Sequence, residues 1–572
     1  MINPDRIQRI ESESPTDSKE PLAMLGAKKI QQTKIDPSTD SKEPLGMLGA
    51  KKIQQTKIDP STDSKEPLAM LGAKKTLKSN SDKISSTNNQ KQNKIDPIQF
   101  ILAVGIFTFL VMGMFFVAGP LSMATMAIGG GLSLYHILSH KSIESIRNVK
   151  GSKLPSAFFL VLVGAPFLLG GIIAYEGITS FETPSRIILL WGLTITFWTT
   201  MLFVPMALLS KRREVLRPDL RNYPLVSIIV PAFNEEVVIK KTLESIIETK
   251  YPRKEIIFVD DGSTDRTLLI AKQFKNQIQI LHKENGGKAS ALNYGIVYAK
   301  GDIIVIVDAD TIIGRRSIVE LVKGFEESKF VGAVAANVKI KNRVNWITKC
   351  QAVEFVAGLQ IVRRAFDEFG AITIIPGALG AFKKENFKST GSYGHETIVE
   401  DFDQTIKILK TGLITRGSDE AIAYTEAPST ISEFVKQRKR WYRGNLQVLS
   451  KHKDALRNTR FGNLQKIASP YLFLGMVLSP IIGLVTITNV FWGLLTGDVL
   501  WVLQAISIFM LAHILMTVLA IRIDNEDLNL IPYAIFMQFG YKQIVDLLLL
   551  RALFEQLVGK KAIWTSVKRT GD

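Results

Sequence analysis

Apolar residues along this chain gather in two groups of long, mostly uncharged runs. The first group comprises 97–118, 121–138, 156–175 and 186–209, and the second 467–495, 499–522 and 531–551. Each run comes near the roughly 20 residues that a helix needs to cross a hydrocarbon layer. The pattern therefore predicts about four N-terminal spans and two or three C-terminal ones. The run 121–138 is the weakest, being rich in Gly and Ser. Between the groups, 214–455 switches to short β-branched runs alternating with amphipathic stretches: 226–230 then 235–248, 255–259 then 265–275, 277–281 then 288–299, and finally 302–307. That alternation predicts βαβ units on a mostly parallel sheet, an α/β domain inserted between bundles of transmembrane helices.

Residues 1–96 are rich in Lys, Ser, Asp and Gln and almost without aromatics. Such a composition buries too little apolar surface to offset chain ordering, so a disordered tail is expected. Within it the unit DSKEPLxMLGAKK begins at Asp17, Asp40 and Asp63, a 23-residue period. Its Leu-Met-Leu cluster is too small for a stacking solenoid. The copies read as a duplicated flexible tail, with one short lipid- or partner-binding helix per repeat as the alternative. The first residues are charged and polar, unlike a cleavable signal peptide.

The formal net charge is +18, but Lys and Arg are spread along the chain and accompany no nucleic-acid-binding motif. Basic segments flank the apolar runs instead, which favours anionic membrane lipid as the partner. Positive charge in the tail, in 141–153 and at Lys211-Arg212-Arg213 puts those segments on the cytoplasmic side, and with them 214–455; residues 175–184 fall outside. Three C-terminal spans would carry the basic tail 552–572 outside, against the same rule. One of the three, with the Pro-containing 467–495 as first candidate, is expected to be interfacial or re-entrant. Cys350 is the single cysteine. No intramolecular disulfide or cysteine-based metal site is possible, and a buried apolar role is expected for it.

Acidic residues stand at the predicted strand ends, where ligands of such sheets bind. The first strand runs into Pro231-Ala232-Phe233-Asn234-Glu235-Glu236, the second into Asp260-Asp261-Gly262-Ser263, and the fourth into Asp308-Ala309-Asp310. Each alone has a plain structural explanation as a turn; three in one sheet point to a site. The ordered set PAFNEE at 231, DDGS at 260, GGKASALNYG at 286, DAD at 308, GALGAF at 377, ED at 400 and QRKRW at 437 resembles the family-2 glycosyltransferases of the GT-A fold. More narrowly, it is similar to the membrane-integrated synthases of cellulose, hyaluronan and poly-β-1,6-N-acetylglucosamine. The likeness covers about 225–445 by motif and the flanking spans by architecture.

A nucleotide-sugar brings a pyrophosphate whose departure leaves negative charge, so a hard cation held by carboxylates is expected, Mg²⁺ or Mn²⁺ on Asp308 and Asp310. Flanking one residue at a strand end, the two aspartates are expected to project to the same side. The resemblance implies that Asp260 and Asp261 contact the uridine and the pyrophosphate–metal region, and that Pro231, Ala232 and Glu235 help form the nucleobase–ribose pocket. Lys288, after a Gly pair, suits a phosphate or donor contact; the alternative is a solvated lysine at a helix start. Inverting transfer needs a carboxylate base for the acceptor hydroxyl. The match to the family's Glu-Asp pair makes Asp401 that base, with Asp403 a weak second candidate, and the alternative is that these acids merely cap a helix. Gln437, Arg440 and Trp441 stand at i, i+3 and i+4, one face of a helix. Gln437 and Arg440 suit the donor phosphates and Trp441 the flat face of an acceptor sugar. Arg438, Lys439 and Arg443 are expected to be solvated or lipid-facing. Gly377, in Gly377-Ala378-Leu379-Gly380, is expected to line the acceptor end, and here the sequence departs from the aromatic and cysteine of the cellulose synthases.

The resemblance implies a membrane enzyme that transfers sugar from a UDP-sugar to extend a β-linked polysaccharide, at a bacterial inner membrane with its catalytic domain in the cytoplasm. The alternative acceptor is a membrane lipid glycosylated once, and a remote alternative is a non-catalytic scaffold or transporter. The closing Trp564-Thr565-Ser566-Val567-Lys568-Arg569-Thr570-Gly571 resembles the tail of poly-N-acetylglucosamine synthases, favouring UDP-N-acetylglucosamine over UDP-glucose.

Overall fold

The computed structural model of the protein describes residues 96–117, 123–124, 165–180 and 182–561. The repeat-bearing tail, nearly all of 121–138, the start of 156–175 and the closing 562–572 lie outside them. Among the described residues, Pro97–Val117 and Ala165–Thr179 are helical. Three helices among the described residues are long and apolar enough to cross a membrane: Pro184–Val215, Leu464–Leu495 and Val499–Asp524.

The helix over 464–495 runs on through its prolines. Its π turns, Leu464–Ala468 and Leu474–Leu478, stand just ahead of Pro470 and Pro480, where widening relieves the clash of a proline ring with the preceding turn. A break in the helical run falls in 531–551. Phe539 (φ −115°, ψ 112°) and Gly540 (φ 97°, ψ −61°) break the helix, and Lys542–Leu557 restarts beyond them. A φ of 97° is open to glycine at little cost, so Gly540 sets the position of the break.

The intervening domain holds an eight-stranded sheet in the order β3-β2-β1-β4-β7-β6-β8-β5. The strands are β1 Val226–Ala232, β2 Lys254–Asp260, β3 Gln279–His282, β4 Ile303–Val307, β5 Ile312–Ile313, β6 Val331–Ile340, β7 Leu379–Lys383 and β8 Ile414–Thr425. β3, β2, β1 and β4 are parallel, and β7 is antiparallel to both β4 and β6. β1 and β4 are buried along their whole length, as strands covered on both faces must be. Ile228 and Val230 join one core; Ile229 joins the other, which continues without interruption into Phe197, Leu202 and Phe203 of the 184–215 helix. Gly295, in the helix Lys288–Tyr298, lets that helix press onto the sheet: a Cβ there would stand 2.7 Å from Ile229 Cγ2.

Buried ion pairs fasten the apolar helices to the domain. At the end of 184–215, Arg213 pairs with Asp367 and Glu368, Arg217 with Glu327, and Glu214 with Arg364 at 3.0 Å. At the end of 499–524, Asp524 accepts from Asn337 Nδ2 (2.7 Å) and Gln360 Nε2 (3.1 Å), while Glu526 pairs with Arg343 (2.6 Å) and Lys339 (3.0 Å). Arg364 is 3% exposed and serves both Glu214 and Asp419. Removing one partner of such a buried network strands the others, so Arg364→Leu is expected to destabilise the protein by about 3 kcal/mol. The check is the midpoint of chemical unfolding in detergent.

Candidate active site

The loops after β1 and β2 are joined into one wall. Asn234 adopts a left-handed backbone (φ 56°). Its N–H donates to Ser263 Oγ (3.0 Å), and its Oδ1 accepts from Thr264 N (2.8 Å). Glu235 N donates to Thr267 Oγ1 (2.8 Å), and Glu236 both donates to Asp265 (3.1 Å) and accepts from Arg266 N (2.9 Å). The predicted helix over 235–248 accordingly starts only at Ile239, because 234–238 are used to hold the neighbouring loop. Pro231 and Ala232 are buried in β1.

Asp260 and Asp261 have different surroundings. Asp260 is fully buried; its Oδ2 meets His282 Nδ1 at 2.6 Å, and its Oδ1 has no hydrogen-bond partner among the described residues. Asp261 is taken up locally: it accepts from Lys283 Nζ (2.6 Å), Gly286 N (3.1 Å) and Gly287 N (2.8 Å). Gly287 then turns with φ 83° and starts the helix carrying Lys288. Asp261 thereby ties down the loop that delivers Lys288.

Lys288 is the centre of an acidic group. Its Nζ stands 2.6 Å from Asp308 Oδ1 and 3.0 Å from Glu400 Oε1. Burial lowers its proton affinity, but Asp308, Glu400 and Asp401 outweigh that and hold it well above the ordinary lysine range. A solvated lysine at a helix start is therefore not what this residue is. Gly377 permits the arrangement, since a Cβ there would come within 2.7 Å of Lys288 Nζ and 3.3 Å of Asp308.

Asp401 opens the helix Glu400–Lys410. Its Oδ1 accepts from Phe402 N (2.8 Å) and its Oδ2 from Gly377 N (3.3 Å). Burial, reinforced by Glu400, raises its pKa to about 6 against the opposing Lys288. Lys288, Gly377, Glu400 and Asp401 line one cavity together with Ile375 and Tyr393. Tyr393 belongs to no motif in the sequence and carries no pattern that would have singled it out.

The Asp308-Ala309-Asp310 segment is not part of the pleat. β4 ends at Val307, and 308–311 form a turn closed by Thr311 N on Asp308 O (3.0 Å). Asp308 faces Lys288, whereas Asp310 is mostly buried beside Thr311 Oγ1 (3.3 Å). The same-side expectation, which rests on strand alternation, does not apply once the strand has ended. Among the described residues no three His, Cys, Asp or Glu side chains form a metal-holding group.

Gln437, Arg440 and Trp441 do lie on one helix, Ile431–Lys451, capped by Thr430 Oγ1. Gln437 is 7% exposed and its Oε1 has no hydrogen-bond partner among the described residues. Arg440 and Trp441 are half-buried. The expectation of a solvated or lipid-facing set at Arg438, Lys439 and Arg443 is overturned for the two arginines, whereas Lys439 stays 35% exposed. Arg438 is 4% exposed and forks onto Glu354 (3.2 and 2.5 Å), with its guanidinium 4.7 Å from the Trp441 ring. Arg443 is 3% exposed and donates to the carbonyls of Ala552 and Lys560, and Lys439 pairs with Glu555 at 2.9 Å. Their partners come from other helices, so a run of basic residues looks solvent-facing in the sequence alone. Gly444 was likewise invisible: a Cβ there would meet Val399 at 2.6 Å and Ile398 at 3.1 Å, so this glycine lets the helix abut the segment leading to Asp401.

Asp403, the weaker candidate base, is locked in place. It is 1% exposed and meets His452 Nε2 (2.8 Å), Lys451 Nζ (2.8 Å) and Lys407 Nζ (3.1 Å). Burial pushes its pKa up, but these hydrogen bonds prevail and hold the carboxyl well below the usual range. A depressed folded value gives stability that is present above the unfolded pKa and lost as pH falls through the folded one. Asp403→Asn is therefore expected to cost about 2 kcal/mol at neutral pH while transfer per folded molecule stays within roughly fivefold, since hydrogen-bonded support rather than chemistry is removed. Paired unfolding and activity assays check it.

Residues 227–391 match the family model described as Glycosyl transferase family 2. The poly-beta-1,6-N-acetyl-D-glucosamine synthase of Staphylococcus epidermidis is 32% identical over 227 residues, covering 39% of this chain and 55% of the relative. The synthase of the same name from Staphylococcus aureus strain COL is 30% identical over 244 residues, covering 42% and 58%. The chain thus spans little more than half the length of the curated relatives it matches. Among solved structures, a mannosyltransferase, PcManGT from Pyrobaculum calidifontis in complex with GDP-Man and Mn²⁺, aligns with TM-score 0.45 and 22% identity over 64% of this chain and 99% of that one. The match to the family 2 glycosyl transferase model thus falls on residues 227–391, the part of the chain that builds the parallel strands and the loop carrying Lys288.

Proposed function

We propose that the protein is an inverting glycosyltransferase that extends a β-linked polysaccharide from a UDP-sugar at a membrane. The observation that carries the reading is Asp401: a carboxylate with raised proton affinity, fixed by the Gly377 amide, in one cavity with Lys288 and Glu400. A base works best with a pKa near the working pH, and a value of about 6 meets that while leaving the group mostly ionised at neutrality. In the reaction the acceptor hydroxyl oxygen attacks the anomeric carbon, the bond from that carbon to the diphosphate breaks, UDP departs with its electrons, and the proton passes to Asp401.

The remaining residues divide between the two substrates. Lys288, held positive by its carboxylates, suits the diphosphate, with Gln437 and Arg440 as further phosphate contacts. Asp260 Oδ1, without a partner among the described residues, is an acceptor suited to a nucleobase N–H, in a pocket completed by Pro231, Ala232 and Glu235. Trp441, braced by Arg438, offers an aromatic face to the acceptor sugar. Asp308 and Asp310 supply hard oxygen donors, which fit Mg²⁺ or Mn²⁺. A cation of that kind commonly takes one or two carboxylates and completes its shell with substrate phosphates and water. When bound it offsets charge on the departing diphosphate.

The names of the relatives support UDP-N-acetylglucosamine as donor and a β-1,6 linkage. The three long apolar helices, two of them ion-paired to the domain at their ends, support a bacterial inner-membrane enzyme working at the cytoplasmic face. The test is a donor screen with the purified full chain and each of several radiolabelled UDP-sugars. N-Acetylglucosamine should be incorporated with Mg²⁺ or Mn²⁺ and lost with EDTA. Incorporation that is indifferent to EDTA would remove the metal from the account, and no incorporation from any UDP-sugar would remove the account itself.

A further inference from the structure

The Tyr393 hydroxyl is a buried polar group that the chemistry above leaves unused. The residue is 3% exposed, and its oxygen has no hydrogen-bond partner among the described residues. It nevertheless lines the cavity shared by Lys288, Gly377, Glu400 and Asp401. Buried hydroxyls are almost always paired, so one left open beside a candidate base calls for a ligand.

The side chain is also held still. Tyr393 N donates to Asn293 Oδ1 (2.8 Å), and its carbonyl accepts from Asn293 Nδ2 (2.9 Å), on the helix that carries Lys288. Its ring leans on Phe387 with centroids 5.8 Å apart, and Phe387 leans on Phe382 at 5.9 Å. A contact group fixed in this way is ready for its ligand without reordering.

The other polar groups of the cavity already have partners: Lys288 has Asp308 and Glu400, and Asp401 has two backbone amides. A neutral hydroxyl suits the hydroxyl-rich edge of a pyranose better than a diphosphate. We infer that the Tyr393 hydroxyl binds the acceptor, hydrogen-bonding to an oxygen of its terminal sugar next to the hydroxyl that Asp401 deprotonates, and so selects which hydroxyl attacks. This rests on the transferase reading.

Tyr393→Phe removes a single oxygen that has no partner among the described residues, so folding should survive. The test uses the full chain in detergent, saturating UDP-sugar and an added acceptor oligosaccharide. kcat/KM for the acceptor should fall roughly 10- to 100-fold, as for one lost hydrogen bond in a buried site. UDP affinity, measured by calorimetry with Mn²⁺, should stay within about twofold and the unfolding midpoint should not drop, since the protein loses no contact of its own. The inference is overturned if acceptor kcat/KM stays near wild type, or if UDP affinity or the midpoint falls in parallel. A wild-type chain that transfers from no UDP-sugar overturns the transferase reading first, an outcome distinct from either.

Discussion

Asp401→Asn is expected to abolish transfer, by about 10³-fold or more, while leaving the donor bound. Asparagine keeps the size of the side chain and can accept from Gly377 N or Phe402 N, but it cannot take a proton. A positioned base contributes about 10²- to 10⁴-fold, and the loss should fall on kcat. The same change should raise stability at neutral pH. The folded pKa of about 6 stands above the ordinary carboxylate value. Its contribution is therefore fully present below the unfolded pKa and lost as pH rises through about 6; above that, the buried charge is a net cost of order 2–3 kcal/mol. In the wild type, kcat should rise with pH through about 6. The expected pair, a dead enzyme with a higher melting temperature, is not what a helix-capping acid would give, because losing a cap lowers stability by about 1 kcal/mol.

Lys288→Met should be nearly as damaging to transfer and opposite in its effect on stability. The substitution keeps the length of the side chain but leaves Asp308 and Glu400 without their shared cation. Lys288 and Asp308 are each 29% exposed, so the loss is that of a half-buried charged contact, about 1–3 kcal/mol. Because the folded lysine is held above its ordinary pKa, its contribution is complete below the unfolded value and disappears only as pH rises through the folded one; the loss in the variant is therefore visible across the neutral range. Lys288 also lowers the pKa of Asp401, so without it the acid limb of the kcat profile should move to higher pH. Transfer should fall by about 10²-fold or more, the scale of losing one preorganised charge contact. An unchanged acid limb would mean that Lys288 and Asp401 do not share a site.

Much of this site could be read before any coordinates, and for identifiable reasons. β1 and β4 are buried along their whole length and β2 from Ile256 onward, and so they appear as short runs rich in β-branched residues. Acids stand at their ends, where sheets of this kind bind ligands. Lys288, Gly377 and Asp401 come together as the motif order implied. The features that escaped depend on contacts between distant parts of the chain. Arg438 is buried because Glu354 faces it from another helix, and Tyr393 lines the cavity because Asn293 holds its backbone a hundred positions away. The turn at 308–311 and the break at Phe539–Gly540 are local, yet each defeats a rule of regular geometry: strand alternation in one case, apolar run length in the other.

The most direct test of the account is the size and anomeric configuration of the product made by the purified full chain from UDP-N-acetylglucosamine as sole donor. The account predicts a long β-linked polymer, absent with Asp401→Asn. A product of one sugar on a lipid, or an α linkage retained from the donor, would contradict it.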